Sequence, residues 1–234
     1  MVYYLMPHEC NSTLRKALSA LVEWFKEHGA RFPWRGEIGW YGILVAETML
    51  IRTRRTVAER VFIEFMEKYP TPESLCKADS VEVEALFRKI GLPWRARKLR
   101  ETVCRILSEY RGVLPCSYSE LVELPGVGEY IARVLLARVC KKHYAFVDSN
   151  VSRVFSRLVG LDLDVKAIER ILEACAEPGE LIMVNTALLD VGDLYCKPRE
   201  PVCTLCPLKE TCSHGLQTRE ASTSRAEANL PLNA

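Results

Sequence analysis

The spacing of apolar residues along the whole chain constrains its fold more than any other feature. The first predicted helix has apolar side chains at i, i+3 and i+4 spacing: Leu14, Leu18, Leu21, Val22 and Phe25. A third predicted helix has the apolar face Val57, Val61, Phe65 and Met66. No segment alternates like two strands joined by a hairpin turn. The pattern therefore predicts an all-α protein of about ten helices with short connections.

Composition limits the class of protein. The 234 residues are 49% hydrophobic and 26% charged, enough for a core in one domain or two small ones. No apolar run approaches the roughly 18 residues of a membrane span, and residues 1–7 lack the pattern of a signal peptide. We therefore expect a cytoplasmic protein without a membrane partner. The net charge of +2 decides little, because nucleic-acid binding depends on clustered charge.

The ten cysteines are unevenly distributed. In a reducing compartment we do not expect a disulfide framework. Four of them, Cys196, Cys203, Cys206 and Cys212, have the spacing Cys-x6-Cys-x2-Cys-x5-Cys. Four thiolates can hold a [4Fe-4S] cluster or one zinc ion, and the single Cys-x2-Cys pair favours iron and sulfur without proving it. Four unrelated core cysteines are the less favoured alternative at this density.

A glycine motif stands between two helical patterns, at Leu124-Pro125-Gly126-Val127-Gly128. Gly126 and Gly128 permit positive φ and leave the backbone bare. Their N–H groups, with the start of the next helix, can therefore close on a phosphate oxygen. An ordinary tight turn is the alternative, and the motif alone does not decide between the two.

Basic residues gather in two segments, 52–60 and 88–105. Such clusters provide an electrostatic footprint for nucleic acid despite the small net charge. A solvated helix face is the usual alternative. We expect it for Arg100 and Arg105, where Glu101 and Glu109 interleave.

Two acids stand out by position. Asp148 precedes a helical pattern, where an N-cap is expected, and by itself this indicates only a cap. Glu47 lies within the apolar stretch 44–50. A carboxylate there is costly unless it faces a cleft or a partner, so Glu47 is either a buried functional acid or a surface-facing one.

Together these features resemble a known family. The motifs occur in its order: Phe32-Pro33-Trp34-Arg35, Glu47-Thr48-Met49-Leu50, the 124–128 hairpin, Val147-Asp148-Ser149-Asn150-Val151 and the cysteine loop. The chain resembles the helix-hairpin-helix DNA glycosylases with an iron-sulfur cluster loop, the superfamily of endonuclease III and the adenine-DNA glycosylases. It is most like the mismatch-specific thymine-DNA glycosylases, through Leu50-Ile51-Arg52-Thr53 and Tyr130.

The resemblance implies a two-lobed fold. Residues 36–145 would form a six-helix lobe with the hairpin, and residues 1–35 with 146–213 a lobe holding a [4Fe-4S] cluster on the four cysteines. Asp148 and Tyr130 would face each other across the cleft. Residues 214–234, polar and without aromatics, are predicted to be a disordered tail. The protein is expected to be a monomer.

The resemblance also implies an activity. The protein would be a monofunctional DNA glycosylase of base excision repair that flips and hydrolytically removes thymine or uracil mispaired with guanine. Asp148 would stabilise the positive sugar and accept a proton from water. Tyr130 replaces the lysine of endonuclease III and cannot form an imine, so no strand cleavage is expected. Glu47 would assist base departure or order the water, or make only a structural hydrogen bond.

Predicted DNA contacts come from two segments. The hairpin residues Leu124, Gly126, Val127 and Gly128 would bind backbone phosphate, as the resemblance implies. Met49, Ile51 and Arg52 would fill the vacated stack or contact the opposite base. The partner would be double-stranded DNA with a mismatch, in the nucleoid, and a downstream abasic-site endonuclease would take the product.

Two alternatives stay open. The first is an adenine-DNA glycosylase acting opposite guanine or oxidised guanine, which Glu47 fits equally well. Three features favour thymine or uracil: only 22 residues after Cys212, Tyr130 where the adenine group commonly has a small residue, and Ile51-Arg52 where it usually has paired glutamines. The second is a non-catalytic DNA-binding protein, against which Asp148 and Glu47 argue.

Overall fold

A computed structural model describes residues 10–177 and 179–218. These residues contain helices and no strand, so the all-α prediction is confirmed. Two 3-10 segments, Pro33–Arg35 and Cys203–Leu205, accompany the α-helices. The α-helices are α1 Ser12–His28, α2 Gly39–Leu50, α3 Arg55–Lys68, α4 Pro72–Lys77, α5 Ser80–Arg88, α6 Pro93–Glu109, α7 Tyr118–Val122, α8 Glu129–Arg138, α9 Ser149–Val159, α10 Val165–Cys175 and α11 Leu181–Leu194.

The contact pattern divides the chain into two compact units. One contains the described residues of 10–30 and 143–218, and the other is residues 31–142. The lobes inferred from the resemblance, 36–145 and 1–35 with 146–213, stay a prediction. Residues 214–218 of the predicted tail are helical, within a segment that begins at 213. The rest of that prediction, 219–234, lies outside the described residues. No described helix has the length and apolarity needed to cross a bilayer.

The terminal unit is built on α11. Helix α1 packs against α11, as does α9, and α10 contacts α1 and α9. Asn11 caps α1 by accepting a hydrogen bond from the Leu14 N–H at 2.8 Å, and Leu14, Leu18 and Leu21 then bury the apolar face. This core supports the segment leading to Asp148 and the cysteine loop.

The 31–142 unit is built around α2. All residues from Tyr41 to Met49 are buried, because α2 packs against α3, α6 and α8. Helix α6 also packs on α4 and α5. The buried face of α3 is rotated from the predicted one. It consists of Ala58, Val61, Phe62 and Phe65, while Val57 is 41% exposed.

Six cysteines correct the sequence-based expectation. Disulfides join Cys10 to Cys175, Cys76 to Cys104 and Cys116 to Cys140, with Cα atoms 5.2, 5.5 and 5.7 Å apart. The expectation that these cysteines form no disulfide framework was therefore wrong. Helix packing brings each pair within bonding range although the partners are 24 to 165 residues apart in the chain. The four cysteines near the end remain free.

The disulfides predict a distinctive alkylation pattern. Alkylation of the denatured protein without reductant should modify four cysteines and leave six protected, which mass spectrometry can count. Reduction should lower the thermal unfolding temperature, because each bridge closes a long loop and contributes roughly 3–5 kcal/mol. Modification of all ten cysteines without reductant would contradict this pairing.

Candidate functional site

The glycine hairpin connects α7 to α8 and is anchored by its apolar residues. Leu124 and Val127 are buried, and the Val127 N–H donates to the Leu124 carbonyl at 3.0 Å. Gly126 has φ of 81°, in the left-handed region that glycine adopts without strain. The side chains of Leu124 and Val127 therefore hold the turn in the core, and the turn presents backbone to its surroundings.

The hairpin rests on α6. A Cβ at Gly126 would lie 3.0 Å from Cβ of Lys98, and the Thr102 hydroxyl donates to the Pro125 carbonyl. A Cβ at Gly128 would meet nothing within 4 Å, and no described side chain caps α8 at this residue. The start of α8 is thus open on the side of Gly128, as an anion-binding helix start requires.

The turn after α2 presents Arg52 and buries Met49. Arg52 has φ of 57°, uncommon for a residue with a side chain, and is exposed. Ile51 is half-buried, and its carbonyl accepts a hydrogen bond from the Thr53 hydroxyl at 3.3 Å. Met49 is fully buried in α2 and presents no side chain to a DNA partner in this structure. Of the three residues predicted in this segment, Arg52 and Ile51 remain candidates for DNA contact.

Glu47 is buried, with 7% of its surface exposed, so it is not the surface-facing acid that the sequence left open. Arg138 of α8 lies in its electrostatic range. Burial lowers the pKa of Arg138, while Glu47 and Tyr130 raise it. The Arg138 guanidinium also donates to the Trp34 carbonyl at 2.6 Å. Glu47 and Tyr130 are thus near one half-buried cation.

Sequence reasoning missed Arg138. Its signal is a charged residue at the end of the apolar run 134–137, eight positions after Tyr130 on the same helix. Residues eight apart are about 80° apart around a helix, within the width of one helix face.

Asp148 is the N-cap of α9. One carboxylate oxygen, Oδ1, accepts from the N–H groups of Asn150 and Val151, both at 2.8 Å. Among the described residues, the other oxygen, Oδ2, accepts only a longer bond from the Asn150 side chain at 3.3 Å. Asp148 is half-buried. The cap predicted from the sequence is present, and it fixes the carboxylate while leaving Oδ2 lightly engaged.

The segment before Asp148 is fixed by its backbone. The Phe146 N–H donates at 2.8 Å to the amide oxygen of Asn185, which is fully buried on α11. The Ala145 N–H donates to Glu173 at 2.9 Å. These bonds hold the approach to Asp148 on the core of the terminal unit.

Two arginines attach α9 to the cysteine loop. Arg153 donates to the carbonyls of Cys196 at 2.7 Å and Gly192 at 2.9 Å. One turn later, Arg157 donates to the carbonyl of Lys197 at 2.7 Å and contacts the Cys196 sulfur at 3.4 Å. Helix α9 therefore has Asp148 at its start and the cysteine loop along its side and end.

The four free cysteines are half-buried and influence each other. Burial raises the pKa of Cys206 to about 11, and the other three sulfurs add to the increase. Among the residues described, no three His, Cys, Asp or Glu side chains are arranged as a metal-binding group. The donor chemistry nevertheless fits an iron-sulfur cluster, since four neighbouring thiols are unpaired while the other six cysteines form disulfides.

Comparison with known proteins identifies the family. The model of the HhH-GPD superfamily, base excision DNA repair proteins, matches residues 45–178, more than half of the chain. The chain belongs to the HhH-GPD superfamily. The resemblance inferred from the sequence motifs is thereby confirmed.

Three similar proteins place the chain within the HhH-GPD superfamily. A thymine-DNA glycosylase of Aeropyrum pernix is 34% identical over 82% of this chain and 91% of that protein. An adenine DNA glycosylase of Mycolicibacterium smegmatis is 34% identical over 80% of this chain and 66% of its own length. The solved structure of a thermostable thymine-DNA glycosylase aligns with a TM-score of 0.79 and 29% identity, covering 87% of this chain and 97% of that one.

The predicted site residues of this HhH-GPD protein fall into two groups. The hairpin, the Arg52 turn, Glu47 and Tyr130 belong to the 31–142 unit, and Asp148 and the four cysteines belong to the terminal unit.

The close approach of α9 to α11 at Gly192 allows a test of the packing that supports the Asp148 cap. A Cβ at Gly192 would lie 2.8 Å from Cβ of Asn150, so Gly192→Ala should push α9 from α11 and destabilise the protein by about 1–3 kcal/mol. Denaturant unfolding measures this. Gly36→Ala is the control, since nothing lies within 4 Å of its Cβ, and it should unfold like the unaltered protein. Equal unfolding of both variants would refute the close approach of α9 to α11.

Proposed function

We propose that this protein is a DNA glycosylase of base excision repair that hydrolytically removes thymine or uracil mispaired with guanine. The observation that carries the proposal is the Asp148 carboxylate, held by a double cap with Oδ2 lightly engaged. Membership of the superfamily and the glycosylase relatives support the same reaction class.

Asp148 stabilises the transition state. Cleavage of the N-glycosidic bond builds positive charge on the sugar, and a fixed carboxylate beside the anomeric carbon lowers its energy electrostatically. Oδ1 is held by backbone N–H groups, so Oδ2 is the oxygen that faces this charge or takes a proton from the attacking water. The bond to the base breaks and a water oxygen replaces it on the sugar.

Tyr130 limits the reaction to hydrolysis. A phenol has no amine and forms no imine with the opened sugar, so the product is an intact strand with an abasic site. An endonuclease specific for abasic sites must then act on the product. The protein works as a monomer on DNA of the nucleoid.

Glu47 assists departure of the base or orders the water. Its burial in α2 and the nearby charge of Arg138 support a functional acid. Arg138 also joins α8 to the carbonyl of Trp34, which fixes the residues around Glu47.

Duplex DNA binds through the hairpin backbone and the Arg52 turn. Gly126 and Gly128 present N–H groups to a phosphate, and a mismatched pair opens at lower energy than a matched one when the base is flipped. Arg52 donates to the opposite guanine or to a phosphate.

Thymine or uracil is the favoured base. Tyr130 places a ring where the adenine group commonly has a small residue, which narrows the pocket against a purine. The thymine-DNA glycosylase of Aeropyrum pernix and the solved structure of a thermostable thymine-DNA glycosylase support this choice. The adenine DNA glycosylase relative, at the same 34% identity, keeps adenine as the second candidate.

Cys196, Cys203, Cys206 and Cys212 of the cysteine loop would hold a [4Fe-4S] cluster. When bound, such a cluster cross-links the loop through four iron–sulfur bonds. Arg153 and Arg157 attach the same loop to α9, so order in the loop supports Asp148.

The charge of Asp148 can be tested without loss of its cap. Asparagine caps a helix about as well as aspartate, so Asp148→Asn should fold normally but release base about a hundredfold to a thousandfold more slowly in single turnover. Asp164→Asn is a matched control, because Asp164 caps α10 through the Ala167 N–H at 2.7 Å. Normal base release by Asp148→Asn would refute the assignment.

The proposed cluster leads to a prediction about the metal content of the purified protein. Protein purified without oxygen should be brown and contain about four irons per chain, with little zinc. Cys203→Ser should lose iron, whereas Cys116→Ser, which removes a disulfide partner of the other unit, should retain it. Stoichiometric zinc without iron would contradict the cluster.

A further inference from the structure

Two guanidinium groups of the 31–142 unit have no counter-charge. Arg52 is in the turn after α2, and Arg95 is in the first turn of α6. Neither side chain makes a hydrogen bond or ion pair with any described residue, and Nε of the half-buried Arg95 is shielded without a partner. A shielded, half-buried charge is ordinarily paired, so Arg95 lacks an anion, while the exposed Arg52 is free to share one.

Helix α2, which Arg52 follows, packs against α6, and Trp40 at the start of α2 donates to the Gly112 carbonyl beyond the end of α6 at 3.1 Å. The turn after α2 and the first turn of α6 therefore lie at the same end of this helix pair, and they carry Arg52 and Arg95. Burial lowers the pKa of Arg95, and the charge of Arg52 lowers it further. A nearby acid would instead raise the pKa of Arg95. An anion that contacts both groups would remove the repulsion and satisfy unused donors.

Trp94 fixes one of the two groups. The Arg95 guanidinium carbon lies 4.5 Å from the Trp94 ring centroid, and the Lys98 ammonium lies 5.8 Å from it. Trp94 is nevertheless 55% exposed. A cation held on an aromatic face loses less freedom when it binds a ligand.

The surroundings identify the anion. Lys98, one turn along α6, is the residue that Gly126 of the hairpin approaches, so the arginine pair lies on the helix that supports the hairpin. Along one DNA strand, phosphates are the regularly spaced anions, and arginine binds them through two parallel hydrogen bonds.

We propose that Arg52 and Arg95 together bind one backbone phosphate of duplex DNA, with Trp94 holding Arg95 in position. The proposal rests on the DNA binding proposed above and names a contact beyond the hairpin. It also gives Arg52 one of its two possible roles, contact with a phosphate.

Arg97 provides a matched control on the same helix. Its guanidinium forms an ion pair with Glu84 at 3.1 Å. Its charge is therefore already paired, as is usual on a solvated helix face. Arg97→Gln changes the net charge of the protein by the same amount as Arg95→Gln.

The test is equilibrium binding of the full-length holoprotein to a fully matched fluorescent duplex over a series of salt concentrations. Arg95→Gln and Arg52→Asn should each weaken binding about tenfold. Asparagine is chosen because it tolerates positive φ. In the double variant, the slope of log affinity against log salt should be shallower by about 0.9, the value for one phosphate, and the two losses should not add. Arg97→Gln should keep the slope of the unaltered protein.

Two results would overturn the proposal. One is an unchanged slope in the double variant, and the other is an equal loss in Arg97→Gln. The proposed function is tested separately by base release. If the unaltered protein binds duplex but releases no base, the proposed function is refuted, while the salt slopes still decide whether the phosphate site exists. Conversely, normal base release by the unaltered protein together with an unchanged salt slope in the double variant would refute only the phosphate site.

Discussion

The hydrogen bonds of Arg153 connect the parts of the terminal unit on which the proposed chemistry depends. Its guanidinium joins α9 to the Gly192 carbonyl of α11 and to the Cys196 carbonyl of the cysteine loop. Because Asp148 caps the same helix, the position of the carboxylate follows from this attachment. Disorder in the cysteine loop would therefore disturb the position of Asp148 through α9, a helix of 11 residues.

The 31–142 unit is organised by burial of α2 in an analogous way. Glu47 lies in a helix that is apolar on nearly every side, and Arg138 supplies a positive charge near it. Helix α6 packs against the glycine hairpin and carries Arg95 and Trp94 in its first turn. Backbone donors and cations are thus placed on neighbouring elements of one unit, as binding to a phosphate backbone requires.

Features set by local sequence were predictable, and those set by distant contacts were not. The Asp148 cap and the hairpin follow from a few adjacent residues, because caps and turns are local structures. The three disulfides depend on helix packing between residues far apart, so cysteine spacing could not reveal them. Burial of Met49 and the position of Arg138 also depend on which helices surround α2.

Single-turnover base release from U·G, T·G and A·G duplexes tests the central claim most directly. The account predicts release from U·G and T·G, with U·G at least as fast, because a pocket that accepts the 5-methyl group seldom excludes its absence. Strands should break only after alkali or heat, since Tyr130 supplies no amine. Release of adenine from A·G with T·G untouched, or strand cleavage without alkali, would contradict the account.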